Sequence, residues 1–166
     1  DEHIAAFAAQ MRHIQEGLLK TLASLRTTLS MHTIALIRQL ALSLGAHLEH
    51  SIMDAWFTAL LRMAGITKKL VASASQVAVD TILACFPVRH MHWQSLYAGL
   101  QDKSVATRVY MCKHVHLVLQ VHGHKRTEME AHHGLDMTRQ CLERALSDPS
   151  ACLLYTSPSP RDLSTS

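Results

Sequence analysis

Apolar residues recur at steps of three and four along almost the whole chain. Met31, Ile34, Ile37, Ala41 and Leu44 form one stripe, and Leu48, Ile52, Trp56, Leu60 and Met63 form a second. A third runs through Leu70, Ala74, Val77, Ile82 and Cys85, and a short fourth through Trp93, Leu96, Tyr97 and Leu100. Val105, Val109, Cys112, His116 and Leu119 follow, then Leu135, Thr138, Cys141, Leu142 and Ala145. Side chains three or four positions apart share one face of an α-helix, so each stripe predicts a helix with one buried side. No stretch alternates with period two, and strands are not expected.

Between the stripes lie residues suited to helix ends. Thr27 or Thr28 can cap a helix that Gly45 terminates, since threonine accepts from early N–H groups and glycine tolerates positive φ. Gly65-Ile66-Thr67 separates the next pair, with Thr67 as the expected cap. Phe86-Pro87 stops the fourth helix, because a residue before proline is pushed out of the helical region. Asp102 and Ser104 bracket the start of a helix ending near Gly123. The first helix spans roughly the opening two dozen residues, with a kink expected at Gly17.

Thr27 to Lys68 is 41 residues, Lys68 to Lys103 is 35 and Lys103 to Asp148 is 45. Repeats made of helix pairs run about 40–47 residues, so an α-solenoid is expected, with an ordinary helical bundle as the alternative. A solenoid sets every second connection along one edge. Here that edge would carry Arg26, Lys68, Lys69, Lys103 and Arg108, with few acids nearby.

Composition fits this picture. The chain has 166 residues, 48% hydrophobic and 17% charged, with 6 Gly and 4 Pro, which disfavours both a disordered chain and a turn-dense β fold. A net charge of +3 is too mild for a nucleic-acid footprint, though a local cationic edge would suit an acidic protein surface. The 4 cysteines include no CxxC pair, which points to a reduced, intracellular protein. No apolar run reaches the 18 or so residues of a membrane span and no signal peptide is present, so no membrane partner is expected. The chain opens on Asp1 rather than Met and is expected to be a fragment, monomeric as such.

Histidine is unusually abundant, at 13 residues. His90 and His92, His114 and His116, and His122 and His124 are HxH pairs, but residues two apart point to different helix faces and chelate poorly. His122, His124, His132 and His133 flank an expected loop and could converge there. Without HExxH or paired CxxC motifs, solvated or interface histidines are the preferred reading, and no metal or cofactor is expected. Nor is an enzyme. Glu128, Glu130, Asp136 and Glu143 read as a solvated surface, Cys85, Cys112 and Cys141 as core fillers, and Trp56 and Trp93 as packing residues. GxSxG, P-loop and Rossmann fingerprints are all missing.

Residues 152–166 break with the rest: helical period stops and Pro158 and Pro160 fall close together. The run Cys152-Leu153-Leu154-Tyr155-Thr156-Ser157-Pro158-Ser159-Pro160-Arg161-Asp162 resembles a translated sequencing adaptor of the transposase type. On that reading residues 1–151 are the domain and 152–166 a disordered scar, with a natural Ser/Pro linker as the alternative.

Several ordered segments resemble the N-terminal region of the cytoplasmic linker-associated proteins, the CLASP family, most nearly its fungal members. They are Gly17-Leu18-Leu19-Lys20-Thr21-Leu22 with Ser24-Leu25-Arg26-Thr27-Thr28, then Leu60-Leu61-Arg62-Met63 with Gly65-Ile66-Thr67-Lys68-Lys69. Leu100-Gln101-Asp102-Lys103-Ser104-Val105 with Thr107-Arg108 follows, and then Gly134-Leu135-Asp136 with Leu146-Ser147-Asp148-Pro149. The resemblance implies a TOG domain, an all-α paddle of HEAT-like helix pairs, here incomplete at both ends. Its implied function is to bind αβ-tubulin and microtubules through intra-repeat loops, in a microtubule-stabilising protein of the cytoplasm, spindle and kinetochores, inside the nucleus during fungal mitosis. The implied contact residues are Arg26, Thr27, Thr28, Thr67, Lys68, Lys69, Lys103, Ser104 and Arg108. A fifth loop would begin at Ser147-Asp148-Pro149-Ser150-Ala151. A HEAT-type scaffold for some other protein is the alternative.

Overall fold

A computed structural model describes residues 2–131 and 133–150. His132, Ala151 and the expected tail at 152–166 lie outside the described residues. Eight α-helices are described: α1 (Glu2–Leu22), α2 (Thr27–Leu44), α3 (His50–Ala64), α4 (Lys69–Cys85), α5 (His90–Gly99), α6 (Val105–His122), α7 (Arg126–Ala131) and α8 (Gly134–Leu146). A 3-10 turn, Gly45–His47, leads from α2 toward α3. Among the described residues there is no strand, and the fold is the expected all-α class of HEAT-like helix pairs. The chain divides into two compact units between Pro87 and Val88.

In the first unit, α2 and α3 both pack on α4, and α1 packs on α2 and α3. Ile34, Ile37, Ala41 and Leu44 of α2 are buried, as are Leu48 and Ile52, Trp56, Leu60 and Met63 of α3, so these two stripes sit where the pattern places them. The α4 stripe does not. Leu70 is 72% exposed, and Val77 and Cys85 are exposed too, while Val71, Ser75, Ala78, Val79, Ile82 and Leu83 face the core. Small and apolar residues occupy both candidate faces of α4, so periodicity alone left its rotation open by about one residue, or 100°. Polar links fix it: Arg38 Nε donates to Thr81 Oγ1 at 3.1 Å, and buried Gln76 Nε2 donates to Ala64 O at 3.4 Å, meeting a carbonyl at the end of α3.

Helix ends follow the punctuation with shifts of one residue. Gly45 ends α2 at φ +47°, a conformation costly for any residue with a Cβ. Phe86 ends α4 before Pro87. The N-caps of α2 and α4 are Arg26 and Lys68 rather than threonines, and neither makes a side-chain cap. The α1 helix runs unbroken through Gly17.

The second unit packs α5 against α6 and α8, and α8 against α6 and α7. The α7 helix occupies the region expected to be a loop. Trp93, Leu96 and Leu100 are buried as predicted. A methyl group on Gly99 would sit 2.5 Å from Met111 Cγ, so glycine lets α5 and α6 approach closely there. The α6 stripe is again displaced: Val105 is exposed, Val109, Cys112, His116 and Leu119 are half-buried, and the buried face is Arg108, Met111, His114, Val115, Val118 and His122. Polar residues at both ends of that face hid it from an apolar pattern. On α8 the buried residues are Gly134, Met137, Thr138 and Cys141; Leu142 is exposed.

Candidate functional site

The connection between α1 and α2 and that between α3 and α4 meet at a direct hydrogen bond. Lys68 Nζ donates to Leu25 O at 2.7 Å. Ser30 Oγ donates to Ser24 O at 3.0 Å and the Arg26 N–H donates to Ser24 Oγ at 3.2 Å, which shape the turn that presents Arg26. Arg26, Thr28, Thr67, Lys68 and Lys69 are exposed and Thr27 is half-buried. Neither α2 nor α4 carries an acidic residue in its first turn. Two helix N-termini and three cations therefore concentrate positive potential on one small surface of the first unit. Sequence spacing placed these residues in the right turns; the lysine-to-carbonyl bond that joins the turns had no sequence signal.

In the second unit, the turn before α6 is braced from inside. Asp102 Oδ1 accepts from the Ser104 N–H at 2.7 Å, and Ser104 Oγ accepts from the Thr107 N–H at 3.3 Å, capping α6 as expected. Lys103 and Ser104 are exposed. Arg108 departs from the expectation of an edge cation, because it is buried at 9% exposure. Its Nη1 donates to Asp102 O and Lys103 O at 2.9 and 3.1 Å. Its Nε and Nη2 grip the two carboxylate oxygens of Asp148 at 2.6 and 3.3 Å, and Nη2 also donates to Ser150 Oγ at 3.1 Å. Arg108 thus ties the Lys103 turn to the turn after α8 and offers its charge inward. The sequence reading missed this role. The available signal was a cation recurring at steps of three and four with Met111, Val115 and Val118.

The hydrogen bond from Arg108 holds the Asp148 carboxyl below the usual aspartate range, with Ser150 reinforcing it against desolvation. Burial pushes the thiols of Cys112 and Cys141 up to about 11, helped by the charge of Asp148 for Cys112 and by Cys112 for Cys141. Both therefore stay protonated near neutral pH, the state of a packing residue rather than a nucleophile. Cys85, expected in the core, is exposed at the end of α4. Trp56 and Trp93 are buried at 0% and 1%, as packing residues should be.

Two HxH pairs split across helix faces as their spacing requires, His90 exposed and His92 buried, His114 buried and His116 half-buried; in the third, buried His122 ends α6 and exposed His124 lies in the turn after it. His92 Nδ1 accepts from the Arg89 N–H at 3.0 Å, a structural use at the start of α5. Glu130 pairs with Arg126 at 2.9 Å and Glu143 with Arg139 at 3.0 Å along exposed helix faces, and Asp136 is exposed. No helix of the described residues is long and apolar enough to cross a membrane.

Comparison with known proteins finds a matching family and several relatives. The family model described as CLASP N terminal matches residues 1–152. Protein STU1 of Mycosarcoma maydis is 41% identical over 143 residues, covering 86% of this chain and 11% of the relative. Protein STU1 of Cryptococcus neoformans var. neoformans serotype D (strain JEC21) is 35% identical over 148 residues, covering 87% and 12% respectively. Protein STU1 of Gibberella zeae is 28% identical over 142 residues, again 86% of this chain and 12% of the relative. The chain thus spans about an eighth of the length of these curated relatives or less.

Proposed function

The chain belongs to the CLASP N-terminal family, whose members are microtubule-associated proteins, and from that premise we propose that it is a tubulin-binding module. Residues 1–151 serve as part of a TOG domain, and the contacts come from Arg26, Thr27, Thr28, Thr67, Lys68, Lys69, Lys103 and Ser104. Arg108 holds its turn in place. The module works by binding and carries out no chemistry; the parent protein stabilises microtubules and acts at the spindle and kinetochores.

One observation carries the reading: Lys68 Nζ on Leu25 O places two cation-bearing turns side by side. An acidic surface such as that of αβ-tubulin would be steered to such an edge, raising the encounter rate and selecting the orientation. Each exposed cation contributes about 1 kcal/mol or less, so several turns must engage together. Lys68 also holds the neighbouring turn, so the cleaner test reverses Arg26→Glu, Lys69→Glu and Lys103→Glu, whose side chains are all exposed. Co-sedimentation with microtubules and tubulin binding at low salt should weaken at least about tenfold, with helical circular dichroism unchanged. Undiminished binding by the triple variant would remove these turns from the interface.

A further inference from the structure

Three described large apolar side chains are far more exposed than the rest: Leu25 at 91%, Leu70 at 72% and Leu146 at 72%. All three flank connections rather than helix interiors. Leu25 directly precedes Arg26, Leu70 directly follows Lys69, and Leu146 precedes the Ser147-Asp148 turn. Val105, at 42%, stands two residues after Lys103. Cation and exposed hydrophobe therefore recur together at three separate connections. Single exposed leucines are ordinary on protein surfaces. A pairing of leucine with cation at both the turn before α2 and the turn before α4 has the form of an interface, an apolar anchor within a polar rim.

We infer that Leu25 and Leu70 are the apolar anchors of the first unit's edge, seating in an apolar recess among the carboxylates of the partner's surface. This rests on the tubulin-binding reading and deepens it, because it says what the acidic surface must offer besides charge. The hydrogen bond from Lys68 to Leu25 O fixes the backbone that presents Leu25, so little freedom is lost when that side chain is buried. The surroundings select the partner's sign. Arg26, Lys68 and Lys69 stand beside the leucines, and the first turns of α2 and α4 hold no acid to oppose an anionic surface. Water and salt screen exposed cations, whereas burial of a leucine is nearly indifferent to ionic strength. Charge then brings the partner in, and the leucines hold it.

The experiment compares tubulin binding by the 166-residue chain with its Leu25→Ser and Leu70→Ser variants, each at low and at physiological salt. Each serine variant should weaken binding about tenfold at both salt concentrations, the loss expected for truncating an interface anchor. Leu25→Met and Leu70→Met should restore most of it. The Arg26→Glu, Lys69→Glu pair should instead show a defect that shrinks as salt rises. Circular dichroism should be the same throughout, because both leucines are exposed. Serine variants that bind as tightly as the unaltered chain, while the charge reversal abolishes binding, overturn the anchors and leave the tubulin reading standing. An unaltered chain that does not bind tubulin overturns both. Serine variants that keep tubulin but lose vesicles of phosphatidylserine and phosphatidylcholine would reassign the leucines to a lipid surface, and so overturn the inference as well.

Discussion

Helices α3 and α6 both bury one face against their neighbours, with different chemistry. In α3 that face is Ile52, Met53, Trp56, Phe57 and Leu60, all at 2% exposure or less. In α6 it includes Arg108, His114 and His122 among Met111, Val115 and Val118. An apolar face needs only the exclusion of water. A buried guanidinium needs acceptors around it, because desolvating a charge is costly unless it is paired and hydrogen-bonded. The acceptors for Arg108 lie on the turn just before α6 and at Asp148, forty residues further along the chain. The second unit therefore sets a long-range polar knot beside its buried apolar residues, whereas the buried face of α3 is wholly apolar.

The largest effect expected is on the apolar side of this contrast. Phe57→Ala should destabilise the first unit by about 3–5 kcal/mol, through lost burial and the cavity left behind. Urea unfolding followed by Trp56 fluorescence, in a Trp93→Phe background, measures it. A loss under 1 kcal/mol would mean that this core collapses around the gap.

Acid should break the polar side first. The folded-state pKa of Asp148 is lowered, chiefly by the hydrogen bond from Arg108. Its contribution to stability is therefore present at neutral pH and disappears as pH falls below about 4, where the unfolded chain already takes up the proton. Trp93 fluorescence should report an acid transition in the second unit that Trp56 does not share. Asp148→Asn should weaken that unit at neutral pH and flatten its response to acid. Identical acid profiles for Asp148→Asn and the unaltered chain would show that other carboxylates govern the transition.

The smallest effect sharpens the comparison at a single cap. Ser104→Ala removes the acceptor for the Thr107 N–H and should cost about 1 kcal/mol. The α2 and α4 starts have no such side-chain cap to lose, so Thr27→Ala and Thr67→Ala should change stability far less. Thermal unfolding of the three variants distinguishes them.

Much of the fold was legible because local chemistry decides it. Gly45, Phe86-Pro87 and Ser104 punctuate the helices where the structure ends or starts them, since positive φ, the restriction before proline and a capping hydroxyl act within a few residues. The stripes of α2 and α3, and the positions of Trp56 and Trp93, were equally plain. The turns bearing Arg26, Lys68 and Lys103 could be located from spacing and from the resemblance. Their atomic arrangement could not.

Tertiary structure alone decided three things. It rotated α4 so that Leu70 and Val77 face outward and Val71 and Val79 inward, a choice that a helix apolar on adjoining faces does not make for itself. It turned Arg108 from an edge cation into an internal strut, because Asp148 and the carbonyls before α6 are neighbours only once the second unit has folded. And it laid Lys68 against Leu25 O, across 43 positions of sequence. Periodicity reports which residues share a helix face. It carries no information about what stands opposite that face, and for charged and borderline residues the opposing group settles whether they are buried or exposed.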